Sequence, residues 1–460
     1  MSRFGVVDLR SVPILERGAG RDPQSWRQTS AYGFGTSLVW RIAHRSAMAA
    51  TVLKVDVKVR STAAPGSRLV LLAIVSAMAL IAYMPAPVIA MPGGAGQTAA
   101  PPSGGSPFDR QGMWIWYVER SDGGDVSRIV SRATRAGIGA LYVKAGDAGN
   151  VWSQFNSSLI EALHRGGLEV CAWQFVYGDR PVAEAKVGAA AVRRGADCLA
   201  VDAEGRYEGR YAAADRYIRA LRARIGAGFP LSLAGFPYVD YHPSFPYSVF
   251  MGPGGATYNQ PQMYWKAIGA SVRAVYEHTY LFNRLWGRPI YPLGQTYDRP
   301  GRKPVLRFRR FAESYGGLAP SWWDWQETST ELWNALGATT SGPVLGYQPL
   351  TSQPLLRRGS RGDLVVWAQQ HLRAAADPLL PVTGIFGKMT RAAVRSFQAA
   401  RGLSADGVIG VSTWDALLGV EPVRPRWAGS RGEAFSRRRG SESRNRSQPA
   451  PIRLASGAGV

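Results

Sequence analysis

The chain has 460 residues, with 55 Lys+Arg against 32 Asp+Glu and a formal charge of +23. Hydrophobic residues make up 46% and aromatics 11%, enough to bury real cores, so wholesale disorder is excluded and two to four domains are expected. Two cysteines, Cys171 and Cys198, cannot make a disulfide scaffold and lack zinc-site or CxxC spacing, so both are expected as buried thiols.

Residues 1–67 are polar and basic without clear periodicity, and read as a disordered or mis-called extension, with Met48 an alternative start. Residues 68–90 follow as a basic flank and the uncharged run LVLLAIVSAMALIAYM at 69–84, then Pro85 and small residues up to Ala90. The run is too short to span a bilayer comfortably, and the pattern is that of a secretory signal peptide cut after Ala90. An uncleaved membrane anchor is the alternative. Residues 91–107 are rich in Gly, Pro, Ser and Ala, a linker composition.

Residues 108–340 alternate short apolar runs with amphipathic stretches that end at glycine, such as 126–137, 183–195, 211–226 and 305–316. The eight runs lie at 112–118, 140–144, 169–175, 198–202, 230–236, 260–265, 289–295 and 321–326. This predicts an α/β fold, a TIM-type (β/α)8 barrel, over an open doubly wound sheet, since no GxGxxG follows the first strand. The segment 240–256 breaks the alternation and is expected as a loop excursion.

Chemistry in such barrels sits at the C-terminal strand ends. Those ends carry Glu119, Lys144 with Asp147, Gln174 and Tyr177, Asp202 with Glu204, Tyr238 with Asp240, Gln262 with Tyr264, Gln295 with Asp298, and Asp324 with Gln326. Around them stand Trp114, Trp116, Trp173, Trp265, Trp323 and Trp325, and flat aromatic faces beside carboxylates and amides describe a carbohydrate cleft. Asp202 and Glu204, two apart on a strand, face one side and raise each other's proton affinity. That division of labour suits glycosidic cleavage, with Glu204 as proton donor and Asp202 stabilising positive charge or orienting water. The plainer reading makes Asp202 a loop or helix cap and Glu204 a solvated side chain. Glu119, Gln174, Tyr177, Gln262, Tyr264, Asp324 and Trp325 are the expected substrate contacts.

The residues Val201-Asp-Ala-Glu-Gly205, Trp173-Gln-Phe175, Gln262-Met-Tyr264 and Trp323-Asp-Trp-Gln326 resemble the family 25 glycoside hydrolases, lysozymes that cut peptidoglycan, and related glycoside-hydrolase-like barrels. The resemblance covers about half the chain and implies a muramidase-like hydrolase. One departure is plain: that family's first strand ends in an aspartate, whereas this one runs Trp116-Tyr-Val-Glu119.

After a linker at 341–354, residues 355–419 carry two copies of a Gly-x-x-Gly turn followed by Thr, at Gly384 to Thr390 and Gly407 to Thr413. Apolar spacing at Val365 to Leu372, Ala393 to Phe397 and Trp414 to Leu418 predicts a small all-α three-helix bundle. These residues, with Gln369, Phe386, Gln398 and Asp406, resemble the type 1 peptidoglycan-binding domain. Most build the bundle, and Phe386, Asp406 and Gly407 are the expected ligand contacts. The tail, 420–460, is Arg/Ser/Gly/Pro-rich and expected to be disordered.

The two resemblances together imply an exported, wall-associated bacterial protein, a monomer, that holds peptidoglycan and hydrolyses a glycosidic bond in it. A wall-binding protein with a non-catalytic barrel is the competing class. The five histidines show no HExxH, and no GxSxG occurs, so neither metal nor other cofactor is expected. Of the charge, +7 lies in 1–91, +10 in 92–418 and +6 in the tail. For an exported chain this reads as adhesion to anionic wall polymers, not nucleic acid, with membrane contact only through an uncleaved signal segment.

Overall fold

The computed structural model describes residues 105–427. The signal segment, the extension before it and the basic tail beyond Trp427 lie outside the described residues.

The strands are β1 (Gly112–Ile115), β2 (Ala140–Asp147), β3 (Asn150–Val151), β4 (Glu169–Val176), β5 (Cys198–Ala203), β6 (Leu231–Ala234), β7 (Tyr258–Asn259), β8 (Leu293–Gln295) and β9 (Ser321–Trp323). Eight of them run in parallel in the order β7-β6-β5-β4-β2-β1-β9-β8, and β3 folds back antiparallel on β2. The ring then closes. Asn259 N–H donates to Pro289 O at 3.0 Å, Tyr291 N–H to Asn259 O at 2.8 Å and Met263 N–H to Leu293 O at 2.8 Å. The architecture is therefore the expected (β/α)8 barrel. The sixth barrel strand, β7, lies just before the expected run at 260–265, where Pro261 lacks a ladder donor, and the seventh, β8, is shorter than its run at 289–295 because Pro292 lacks one.

The helices outside the ring are α1 (Val126–Arg135), α2 (Ser157–Arg165), α3 (Pro181–Arg193), α4 (Tyr211–Ile225), α5 (Tyr247–Phe250), α6 (Trp265–Ile268), α7 (Val272–Asn283), α8 (Arg302–Ser314) and α9 (Thr330–Gly337). Asp125 caps α1 by accepting from Ser127 and Arg128 N–H, and Gly137, at φ +66°, turns the chain back toward β2.

Period-two alternation divides the buried residues into two sets. Phe108, Trp114, Tyr142, Cys171, Trp173, Cys198, Ala200, Tyr258, Tyr291 and Leu293 fill the barrel interior. Their strand neighbours Met113, Leu141, Ala172, Leu199 and Trp322 face the helices. Inside the ring the expectation of two free thiols fails: Cys171 and Cys198 are register partners on β4 and β5 and form a disulfide, fully buried. Each strand reads as an apolar run by itself, and only the pairing of β4 with β5 brings the sulfurs together.

Helices α10 (Asp363–Ala375), α11 (Lys388–Ala400) and α12 (Val411–Leu418) form the C-terminal bundle. One device appears in it twice. The buried Gln369 amide donates to Ile385 O and Thr390 Oγ1 and accepts from Thr383 and Gly384 N–H. Gln398 likewise donates to Val408 O and Thr413 Oγ1 and accepts from Gly407 N–H. Each glutamine satisfies the turn that opens the next helix, which is why the repeated motif carries Gly and Thr at fixed spacing.

Candidate functional site

On β5, Cys198 and Ala200 point into the barrel, so Asp202 and Glu204 follow on the same side and emerge at its C-terminal mouth. Asp202 is buried and Glu204 half-buried. One amide joins them. Gln262 Nε2 donates to Asp202 Oδ1 at 3.0 Å and to Glu204 Oε1 at 3.2 Å, which holds the two oxygens within about 6 Å of each other. Burial pushes both carboxyls above their ordinary range, and Asp202, the deeper of the two, is raised further by the Glu204 charge. Two carboxylates this close, one buried and one half-buried, favour retaining a proton between them.

The cation opposing that rise is Lys144. Alternation from Ala140 and Tyr142 sends its side chain into the barrel, where it is 1% exposed. Its Nζ donates to Asp147 Oδ2 at 2.8 Å and lies 4.1, 4.5 and 4.7 Å from the ring centroids of Trp116, Trp152 and Trp173. Desolvation lowers the Lys144 pKa, and its charge draws Asp202 back toward ionisation. Tyr177 joins the same group: burial, then Asp147, raises its hydroxyl pKa.

Aromatic rings complete the mouth. Trp116, Trp173 and Trp323 stand 5.3 to 5.6 Å apart, edge to face, and Trp114 packs beneath them. Tyr264 meets Tyr297 edge-on at 5.4 Å. The interior face thus offers ring surface beside acid and amide groups, the combination that packs sugar C–H faces and bonds hydroxyls.

Not every expected contact lies here. Gln174, between the inward Trp173 and Phe175, points outward, is fully buried, and donates to Ala148 O and Glu184 O, both at 2.9 Å. Trp325 also faces the helix layer, edge-on to Trp333 of α9 at 4.7 Å, and Trp265 packs on Phe308 of α8 at 5.0 Å. Glu119 stands exposed in the 3-10 turn Val118–Arg120 beyond β1, outside the acid group. Asp324 is buried, and its Oδ1 accepts from Glu327 N–H at 3.2 Å, capping its own turn. At Glu119, Asp324 and Trp325, beyond the strand ends, 3-10 and turn backbone no longer alternates, whereas Gln174 lies within β4 and faces outward by the same parity that turns Trp173 inward.

In the bundle, Phe386 is 1% exposed and belongs to the core, so it is not a surface contact. Asp406 is exposed but accepts from Val408 N–H and Gln398 Nε2 within its own turn. Gly407 has φ +76°, and a Cβ there would meet Arg391 Cγ at 2.7 Å. The turn requires glycine whether or not ligand touches it. Lys144 and Asp147 stand at a strand end that sequence reading assigns to the cleft, whereas Trp152, over the Lys144 ammonium, comes from the turn after β3, which strand reading does not reach.

Comparison with known proteins agrees with the bundle. Residues 361–417 match the family described as "Putative peptidoglycan binding domain". An uncharacterized protein in the bpoA1 3' region of Kitasatospora aureofaciens is 37% identical over 89 residues, 19% of this chain and 75% of that protein. The zinc D-Ala-D-Ala carboxypeptidase of Streptomyces albus G is 41% identical over 70 residues, 14% of this chain and 27% of that enzyme. Among solved structures, the Bacillus cereus spore cortex-lytic enzyme SleL superposes with a TM-score of 0.38 at 11% identity, covering 49% of this chain and 74% of that one. The chitinase of Chromobacterium violaceum gives 0.37 at 12%, covering 49% and 98%.

Proposed function

The chain belongs to one family with the Kitasatospora aureofaciens protein and carries a peptidoglycan-binding domain at 361–417, and on that premise we propose that it is an exported wall hydrolase. The bundle holds peptidoglycan and the barrel cleaves a glycosidic bond in its glycan, in the manner of a lysozyme. The observation that carries this reading is the Gln262 amide bridging the buried Asp202 and half-buried Glu204 carboxyls at the mouth of an aromatic-lined barrel.

Glu204, nearer the opening, donates its proton to the glycosidic oxygen as the C–O bond breaks. Asp202 faces the positive charge that develops on the sugar ring and acts there in its ionised form, which Lys144 and the Gln262 amide favour against the larger opposing effects of burial and the Glu204 charge. Water then adds to that carbon and returns its proton to Glu204, restoring the starting state. Gln262 fixes both carboxyls, while Trp116, Trp173 and Trp323 supply sugar-facing surface. The buried Cys171–Cys198 disulfide supports an oxidising compartment and hence export. Holding the wall through the bundle keeps the cleft at high effective concentration on an insoluble substrate.

Zymography on purified wall with product mass analysis tests the assignment. The native protein is expected to clear wall and release glycan fragments with a new reducing end, and Glu204→Gln to lose that activity at least a hundredfold. No clearing by the native chain, or equal clearing by Glu204→Gln, overturns it. The exposure of Glu119 favours one competing reading, a barrel that keeps the cleft without the chemistry, and the inactive native chain is its signature.

A further inference from the structure

The bundle touches the barrel at the loop between β6 and β7, and that loop also reaches the acid-bearing turn after β5. The bundle side of the contact is built from backbone, one carboxylate and one indole. Asp363 N–H donates to Pro243 O at 2.7 Å, and Gly362, at φ +114°, approaches so closely that a Cβ would lie 2.8 Å from the same oxygen. The Asp363 carboxylate, 1% exposed, accepts from Ser248 N–H at 2.7 Å and Ser248 Oγ at 2.6 Å. Trp367 Nε1 donates to Leu285 O at 2.8 Å, and its ring meets Trp286 edge-on. Beyond α12 the chain returns to the barrel, where Arg424 pairs with Asp215 at 2.8 Å.

The residues flanking Pro243 face the other way. His242 Nδ1 pairs with Glu208 Oε1 at 2.8 Å, and Ser244 Oγ donates to Glu208 Oε2 at 3.0 Å. Gly209 N–H donates to Ser244 O at 2.8 Å, and His242 stacks on Phe236 at 3.6 Å. Glu208 and Gly209 belong to the turn that leaves β5 directly after Glu204. Pro243, gripped by the bundle, therefore stands between the two residues that grip the Glu204 turn.

We propose that the docked bundle positions the acid-bearing turn as well as anchoring the chain: Asp363 is a positioning residue that holds the 242–248 loop, and through it the turn carrying Glu204. The inference rests on the glycan-hydrolysis reading for its consequence in rate, but not for the coupling itself.

The test compares the full chain with Asp363→Ala and, as a milder cut in the same interface, Trp367→Phe. Hydrogen exchange, sedimentation with purified wall, and kcat and KM on soluble peptidoglycan glycan fragments are measured for each. Asp363→Ala is expected to exchange at least tenfold faster at 205–211 and 242–248, and to lose at least tenfold in kcat, with wall binding kept within twofold. Trp367→Phe is expected to shift both readouts in the same direction by less, and carries the test if Asp363→Ala does not fold. Unchanged exchange at 205–211 in the folded variants overturns the proposal, as does unchanged kcat in an active chain. If the native chain hydrolyses no glycan, the hydrolase reading fails, and exchange at 205–211 alone decides the coupling.

Discussion

Removing the Cys171–Cys198 bond by Cys171→Ala with Cys198→Ala is expected to destabilise the barrel without unfolding it. The cross-link joins residues 27 apart in sequence. Closing a loop of that length in the unfolded chain is worth about 3 to 4 kcal/mol on the chain-entropy account. For a domain of this size that corresponds to a melting temperature lower by about 10 °C. The bond is fully buried inside the ring, so no solvent-exposed group is lost with it. Guanidinium unfolding of the native and doubly substituted proteins, with and without reductant, measures the difference in midpoint. The native protein is expected to move to the variant's midpoint on reduction, and the variant not to respond. Two titratable thiols in the denatured, unreduced native protein would refute the bond and weaken the argument for an oxidising compartment. An unchanged midpoint on full reduction would refute the entropic reasoning.

Folding stability is expected to fall as pH rises from about 4 to 7. Burial pushes both Asp324 and Asp363 up to about 7, so the native state binds protons that the unfolded chain has released. Asp324→Asn, which keeps an acceptor for Glu327 N–H, is expected to flatten that slope, and equal slopes in thermal melts from pH 4 to 8 would count against it. Lys144→Met is expected to shift the acid limb of the pH-rate profile upward, because Asp202 loses the charge that favours its ionisation; an unshifted limb in an active, folded variant places the titration elsewhere. Phe386→Ala is expected to cost the bundle about 3 to 5 kcal/mol, as for a buried aromatic. Full bundle stability with lost wall binding would instead make Phe386 a ligand contact. Gln398→Leu is expected to cost about 2 to 3 kcal/mol by leaving Gly407 N–H and Val408 O without their partner.

What the amino-acid order determined is what depends on near neighbours. Eight apolar runs and glycine-ended helical stretches carried the (β/α)8 barrel, because strand parity and helix caps are local. The same parity placed Asp202 and Glu204 together at one strand end, and the repeated Gly-x-x-Gly turns marked the bundle. The tertiary structure decided everything that depends on which strands and loops meet. Trp325 lies in aromatic company as a sequence reads, yet the turn after β9 packs it against the helix layer. Gln262 is 60 and 58 residues from the carboxyls it bridges, and ring closure alone puts it there. Cys171 and Cys198 become a bond only through the register of β4 with β5. Asp363 reads as the start of a bundle helix, and its grip on Ser248, 115 residues away, exists only because the bundle docks on the barrel. Such long-range pairings depend on the relative placement of whole elements, and short sequence windows contain no record of it.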